Sequence, residues 1–214
     1  LDRTVSRSGC AEWVDDDRLL APVGDEARTR LVSLHADHDA PERIFGAQGE
    51  GRTITSFSAA GNTVSVALSH PNEGHDVFAL DAADAIAGDT APRRLSTLNH
   101  DVLKRLALPT CERIHFENSD GVEVEGLAYL PETFDRGNPE PRGLICHIHG
   151  GPTAYNAPQF SAEYAHWVEK GYIVFNVNYR GSTSYGNEFS ESIRGDWGPR
   201  EADDILSGVD ELLD

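Results

Sequence analysis

Residues 143–152 read Gly-Leu-Ile-Cys-His-Ile-His-Gly-Gly-Pro. Gly143–Ile148 is a short apolar run suited to a strand buried on both faces, and it ends abruptly in His149-Gly150-Gly151-Pro152. Glycine permits a positive φ and carries no side chain, so its N–H can turn outward toward a ligand. Proline removes one donor and stiffens the exit. The C-terminal end of a strand is where open α/β sheets place their ligands, and an outward N–H there is one half of an oxyanion hole. A tight strand-to-helix turn that needs its glycines only for packing fits the tetrapeptide equally well.

The flanking sequence extends the strand into a strand–loop–helix order. A helix is expected near 158–170, with Phe160, Tyr164, Trp167 and Val168 on one face and Gly171 as its stop. Tyr172–Asn178 reads as the next buried strand. A further helix opens at Gly198-Pro199, proline being tolerated at the first helical position, and carries Ile205, Leu206, Val209, Leu212 and Leu213 on one face. This order predicts a doubly wound α/β sheet. On the N-terminal side, Glu112–Phe116 and Val122–Tyr129 alternate polar and apolar residues across a hairpin turn at Asn118–Gly121. Asp101–Leu108 is expected to be a short helical link, and Pro131–Pro141 is a proline-rich one.

Residues 11–97 follow a different pattern, of short strands separated by turns in two similar passes. Trp13–Leu20 is echoed by Phe57–Val64, Leu31–His35 by Val77–Asp81, and Pro41–Ile44 by Pro92–Leu95, the last gap being stretched by the Ala/Asp-rich insert Asp81–Thr90. A period of about 40–50 residues with several strands per unit is the signature of β-propeller blades. A β-sandwich with chance echoes is the alternative. Asp15-Asp16-Asp17 reads as a solvated turn, because the later ligand positions of a calcium loop are missing.

Three motifs now stand in order: His149–Pro152, Asn178-Tyr-Arg-Gly-Ser-Thr-Ser-Tyr-Gly186, and Arg194-Gly-Asp-Trp-Gly198. Together they resemble the hydrolase domain of the prolyl oligopeptidase family of serine peptidases, and within it the acylaminoacyl-peptidase and dipeptidyl-aminopeptidase-like branch. The resemblance implies β-propeller C-terminal blades over residues 1–100, followed by the N-terminal part of an α/β-hydrolase domain over 101–214. It implies that Gly151 donates its backbone N–H to the oxyanion, that His149 and Gly150 line the substrate site, and that His149 is not the triad histidine. Tyr179, Arg180 and Gly181 would shape the neighbouring loop, with Arg180 as an ion-pair anchor. At Ser184 this chain departs from the family, which usually has glycine there. The implied substrate is a short peptide, cleaved through an acyl-enzyme without a cofactor.

A serine hydrolase of this kind needs a G-x-S-x-G elbow, then an Asp, then a His. No such elbow occurs in these residues; Ser182-Thr-Ser-Tyr-Gly186 has serine where the first glycine belongs and follows the wrong strand. The missing elbow, the two blade-like units and the absence of any methionine lead us to expect an internal fragment, inactive by itself. Two other classes stay open. One is a metal site using His147 and His149, spaced i, i+2, with His166; zinc requires three or four convergent ligands. The other is a non-catalytic scaffold protein that keeps a hydrolase-like half domain. His35 and His38 read as loop residues.

Asp and Glu total 36 against 18 basic residues, a formal charge of −18. Such a surface repels nucleic acid and anionic membrane, and it resembles that of salt-adapted archaeal proteins. No run approaches the length of a membrane-spanning helix, and the N-terminus shows no signal-peptide apolar region. Cys10, Cys111 and Cys146 are an odd, scattered set, which favours a reducing cytoplasm. Oligomeric state has no signal here.

Overall fold

The computed structural model describes residues 11–37, 42–45, 51–87, 91–137, 142–151 and 153–213, with the backbone alone for 42–45 and 86–87. Cys10, His38, Pro41, Pro152 and Asp214, together with parts of the 81–90 insert and the 131–141 link, lie outside the described residues.

The alternating stretches of the first half form two four-stranded antiparallel sheets in which sequence neighbours are spatial neighbours. The first holds β1 (Glu12–Trp13), β2 (Arg18–Gly24), β3 (Thr29–His35) and β4 (Glu42–Phe45). The second holds β5 (Thr53–Ala60), β6 (Thr63–His70), β7 (Gly74–Asp81) and β8 (Arg93–Arg94). The repeated segments fall on equivalent strands: Leu31–His35 lies in β3 and Val77–Asp81 in β7, each third in its sheet. In β6 and β7 the buried side chains Val64, Val66, Phe78 and Leu80 alternate with more exposed ones, the period of a strand with one covered face. These residues share one core with Leu20 and Leu31 of the first sheet.

Two details of this half go beyond what the sequence pattern signals. The acidic turn is an Asx-type turn: Asp15 Oδ1 accepts from the N–H groups of Asp17 (2.9 Å) and Arg18 (2.7 Å). The bond from Asp17 leads the causes that hold the Asp15 carboxyl below its ordinary range. The insert after β7 contains α1 (Ala82–Ala87), whose Ala82 and Ala85 are buried in the shared core.

After the short helix α2 (His100–Leu103), β9 (Thr110–Glu117) and β10 (Glu123–Leu130) form the expected hairpin. With β11 (Leu144–His147) and β12 (Ile173–Asn178) they make a third sheet in the order β11-β12-β10-β9. Among the described residues β11 and β12 run parallel while the hairpin strands pair antiparallel, so the sheet is mixed. Alternate residues of β10 split between two helices. Leu127 and Tyr129 pack with α3 (Ala162–Glu169) on one face, and Val124, Ala128 and Leu130 with α5 (Pro199–Leu213) on the other. The short α4 (Asn187–Glu191) lies between β12 and α5.

Three expectations are corrected. The helix expected from near 158 begins at Ala162, because Ser161 takes an extended conformation and accepts from Tyr164 N, capping the first turn. All four residues of β11 are only partly buried, since among the described residues this strand has a neighbour on one side alone. In α5, Ile205, Val209 and Leu212 face the sheet, but Leu206 and Leu213 are 63% and 71% exposed. The covered stripe instead includes Asp204 and Gly208, and a Cβ on Gly208 would lie 2.6 Å from the Phe116 ring. That glycine lets the helix approach the sheet closely. No helix among the described residues is long and apolar enough to cross a membrane.

Candidate active site

The loop that follows β11 is shaped by its backbone. Gly151 has φ +143°, and a Cβ there would lie 2.7 Å from the backbone nitrogen of Thr153. Backbone cannot yield as a flexible side chain can, so the position demands glycine. At Gly150 a Cβ would meet nothing within 4 Å, so that glycine borders open space.

His149 is held on every side. Its ring stacks on Tyr179, with centroids 4.4 Å apart and planes 13° from parallel. The Tyr179 hydroxyl donates to the His149 carbonyl. Ser182 Oγ donates to Tyr179 O at 2.6 Å, so it offers a lone pair to His149 Nε2 at 3.1 Å. His149 Nδ1 in turn lies 3.2 Å from Gly150 O, an acceptor, so both ring nitrogens face acceptors for the one proton of the neutral ring. Burial lowers the pKa of this imidazole, which keeps it neutral at pH 7. The geometry makes His149 a clasp between the loop after β11 and the loop after β12.

More bonds join the same two loops. Thr183 N donates to Ala154 O (3.0 Å), Asn156 N to Asn178 Oδ1 (2.7 Å), and Asn178 Nδ2 to both Asn156 O (3.0 Å) and Tyr185 Oη (2.7 Å). Arg180 points away from them into a polar cluster. Its guanidinium meets Asp204 (Nη2–Oδ1 2.9 Å) and Asp120 (2.6 Å), while its N–H donates to Asp204 Oδ2 at 2.7 Å. Asn118 Nδ2 donates to the same Asp204 at 2.6 Å. Arg180 thus ties the loop after β12 to α5 and to the β9–β10 turn.

Ser182 and Ser184 each donate to a backbone carbonyl, and the thiols of Cys111 and Cys146 are disfavoured as thiolates. Ser182 is fully buried in the clasp just described. Ser184 is 1% exposed and donates to Glu26 O at 2.6 Å. Burial pushes the Cys111 thiol up to about 12 and raises that of Cys146 as well, the opposite of an activated thiolate. His147 Nδ1 is 3.0 Å from Tyr164 Oη. Among the described residues, the one group of three converging ligand-type atoms is Glu26, His115 and Glu125, not the three histidines His147, His149 and His166. Its two carboxylates are already bonded by Arg113.

The sequence pattern singled out His149, Gly150 and Gly151, which lie contiguously at the end of β11. It missed Glu125, 2% exposed, which accepts from Tyr185 Oη (2.6 Å), Ala27 N (3.1 Å) and Arg113. Glu123 and Glu125 alternate alike along β10, so nothing in the pattern marks the second as buried.

Residues 158–214 match the prolyl oligopeptidase family. The chain is 30% identical over 208 residues to a Bacillus subtilis protein named an uncharacterized peptidase, YuxL, covering 94% of this chain and 29% of that one. It is 32% identical over 205 residues to dipeptidyl-peptidase 5 of Porphyromonas gingivalis, covering 94% and 28%. The fold is similar to that of Pyrococcus horikoshii acylaminoacyl peptidase, with TM-score 0.80 and 22% identity, over 100% of this chain and 31% of that one. An acylaminoacyl peptidase solved with Z-Gly-Gly-Phe-chloromethyl ketone gives TM-score 0.81 at 22% identity. The chain therefore spans less than a third of the length of these proteins.

Proposed function

We propose that the chain, whose residues 158–214 match the prolyl oligopeptidase family, is a segment of a serine-type peptidase that hydrolyses short peptides through an acyl-enzyme. The two four-stranded sheets are then neighbouring β-propeller blades, and residues 101–214 the first part of an α/β-hydrolase domain. In this reading Gly151 presents its backbone N–H to the oxyanion of the tetrahedral intermediate, and His149 and Gly150 border the substrate. The serine, its acid and its base would come from sequence outside these residues. The observation that carries the reading is the conformation of Gly151: a backbone position that only glycine can fill, at the C-terminal end of a strand, beside open space at Gly150.

The chemistry assigned to this segment is modest and specific. A preorganised N–H stabilises charge that appears only in the transition state, and one such donor is worth about 10²–10³ in rate. The His149–Tyr179–Ser182 clasp fixes the loop that carries it. The substrate names of the relatives support acylaminoacyl- or dipeptidyl-peptidase-like cleavage. The cysteine usage and acidic surface fit a cytoplasmic protein adapted to high salt.

The test is a panel of chromogenic dipeptidyl, acylaminoacyl and single-aminoacyl substrates offered to the full-length protein and to the 214-residue chain. Turnover by the first and none by the second is expected. Turnover by the short chain that disappears on replacing one of its own serines would overturn the assignment.

A further inference from the structure

We propose that the β2–β3 hairpin tip, Gly24–Thr29, is a positioning element for the Gly151 loop, with Thr29 and Glu125 as positioning residues; this rests on the oxyanion reading of Gly151. The tip belongs to the first sheet, yet Ala27 is buried in the core of the third with Leu127, Tyr129, Val168 and Val174. Two hydrogen-bonded routes lead from it to residues 154–156.

The first route is direct. Thr29 Oγ1 is hydrogen-bonded to Tyr155 Oη, and a Cβ on Gly24 would lie 3.2 Å from the Tyr155 ring and 2.8 Å from Ser184 Cβ. Tyr155 stands four positions after Gly151. The second route runs through Glu125. Ala27 N and Tyr185 Oη donate to the same Glu125 oxygen, Tyr185 Oη accepts from Asn178 Nδ2, and Asn178 brackets the backbone of Asn156 with a bond to each side. Burial, reinforced by the adjacent Glu125 carboxylate, raises the Tyr185 pKa, so its hydroxyl keeps the proton that this chain of bonds requires. Arg113 closes the ring by donating to Glu125 and, at 2.6 Å, to Glu26 Oε2.

An oxyanion donor works only when placed well, and a displacement of about 1 Å costs about 10²-fold in rate. The first sheet would thus set the rate from a distance by holding the segment next to Gly151. Thr29 touches neither that glycine nor any residue assigned to substrate.

The test uses the full-length protein with Thr29→Val, which removes one hydroxyl and keeps the strand, and Tyr185→Phe as an independent second break. For each variant, kcat, KM, thermal midpoint and amide exchange of residues 154–156 are measured. The expected result is kcat lowered about tenfold or more, KM within twofold, an almost unchanged thermal midpoint and faster exchange at 154–156. Unchanged kcat and unchanged exchange in both folded variants would overturn the proposal alone. Faster exchange with unchanged kcat would mean that the tip orders a loop that holds no oxyanion, which overturns the Gly151 reading and the proposal with it.

Discussion

Glu26 and Ser184 are the two non-glycine residues with positive φ (56° and 81°) among the described residues, and they are bonded to each other. Ser184 Oγ donates to Glu26 O at 2.6 Å, and Glu26 N donates to Ser184 O at 2.9 Å. Each left-handed residue costs about 1–2 kcal/mol, and such strain persists where surrounding contacts over-determine it. Here the two strained residues stabilise one another, one at the tip of a β-hairpin and the other in the loop after β12.

Ser184→Ala keeps the strained φ and removes the hydroxyl bond, so a loss of about 1–2 kcal/mol is expected. Ser184→Gly removes the same bond but relieves the backbone. Glycine is therefore expected to be the milder change, by about 1 kcal/mol. Urea denaturation of both variants checks the order; a more stable alanine variant would contradict it.

Asp204 is fully buried between Arg180 and Asn118. Asp204→Ala leaves the buried Arg180 guanidinium with only Asp120 (2.6 Å) and Asp203 (3.4 Å), both less buried, and is expected to cost about 3 kcal/mol, the lower end for a broken buried pair. The pair Arg180→Met with Asp204→Leu should lose less than Asp204→Ala alone, since a buried ion pair replaced whole by apolar groups is often near neutral. Denaturation midpoints of the single and double variants decide this.

Burial lowers the folded-state pKa of His149 below that of the unfolded chain. Below about pH 6.5, the ordinary imidazole value, the unfolded state takes up a proton that the folded state refuses. Stability is then present in full above that pH and falls as pH drops toward the folded pKa. Replacing His149 with Gln should flatten the difference in stability between about pH 7.5 and about pH 5.5, on either side of that value. An unchanged difference would show that His149 does not carry it.

The −18 charge predicts a thermal midpoint that rises with salt. Screening shortens from about 10 Å at 0.1 M to about 3 Å at 1 M, which weakens self-repulsion. A midpoint that falls between those concentrations of KCl would contradict the role assigned to the acidic surface.

How much of this is legible in the sequence depends on whether the cause is local. The strand period of 2 in β6, β7 and β10, and glycine and proline punctuation around α3 and α5, follow from neighbouring residues and are visible in sequence. The family resemblance leads one to expect glycine in place of Ser184, and that position has a positive φ. The clasp of His149 by Tyr179 and Ser182 spans some thirty residues, and the Glu125 network joins residues 27, 113, 125 and 185. No short-range pattern encodes contacts of that separation. Leu206 and Leu213 mislead for a related reason: they are apolar at helical spacing, but the stripe of α5 that meets the sheet centres on Asp204, Gly208 and Leu212, flanked by Ile205 and Val209.

The most direct measurement is kcat for Gly151→Ala in the full-length protein, with KM and the thermal midpoint recorded alongside. A methyl group there would lie 2.7 Å from Thr153 N and sit at φ +143°, which on the proposed reading moves the N–H off the oxyanion without touching the nucleophile. A fall in kcat of about 10²–10³, with KM within a few-fold and the fold intact, is the predicted result. Wild-type kcat in that variant would contradict the assignment of Gly151 as the oxyanion donor.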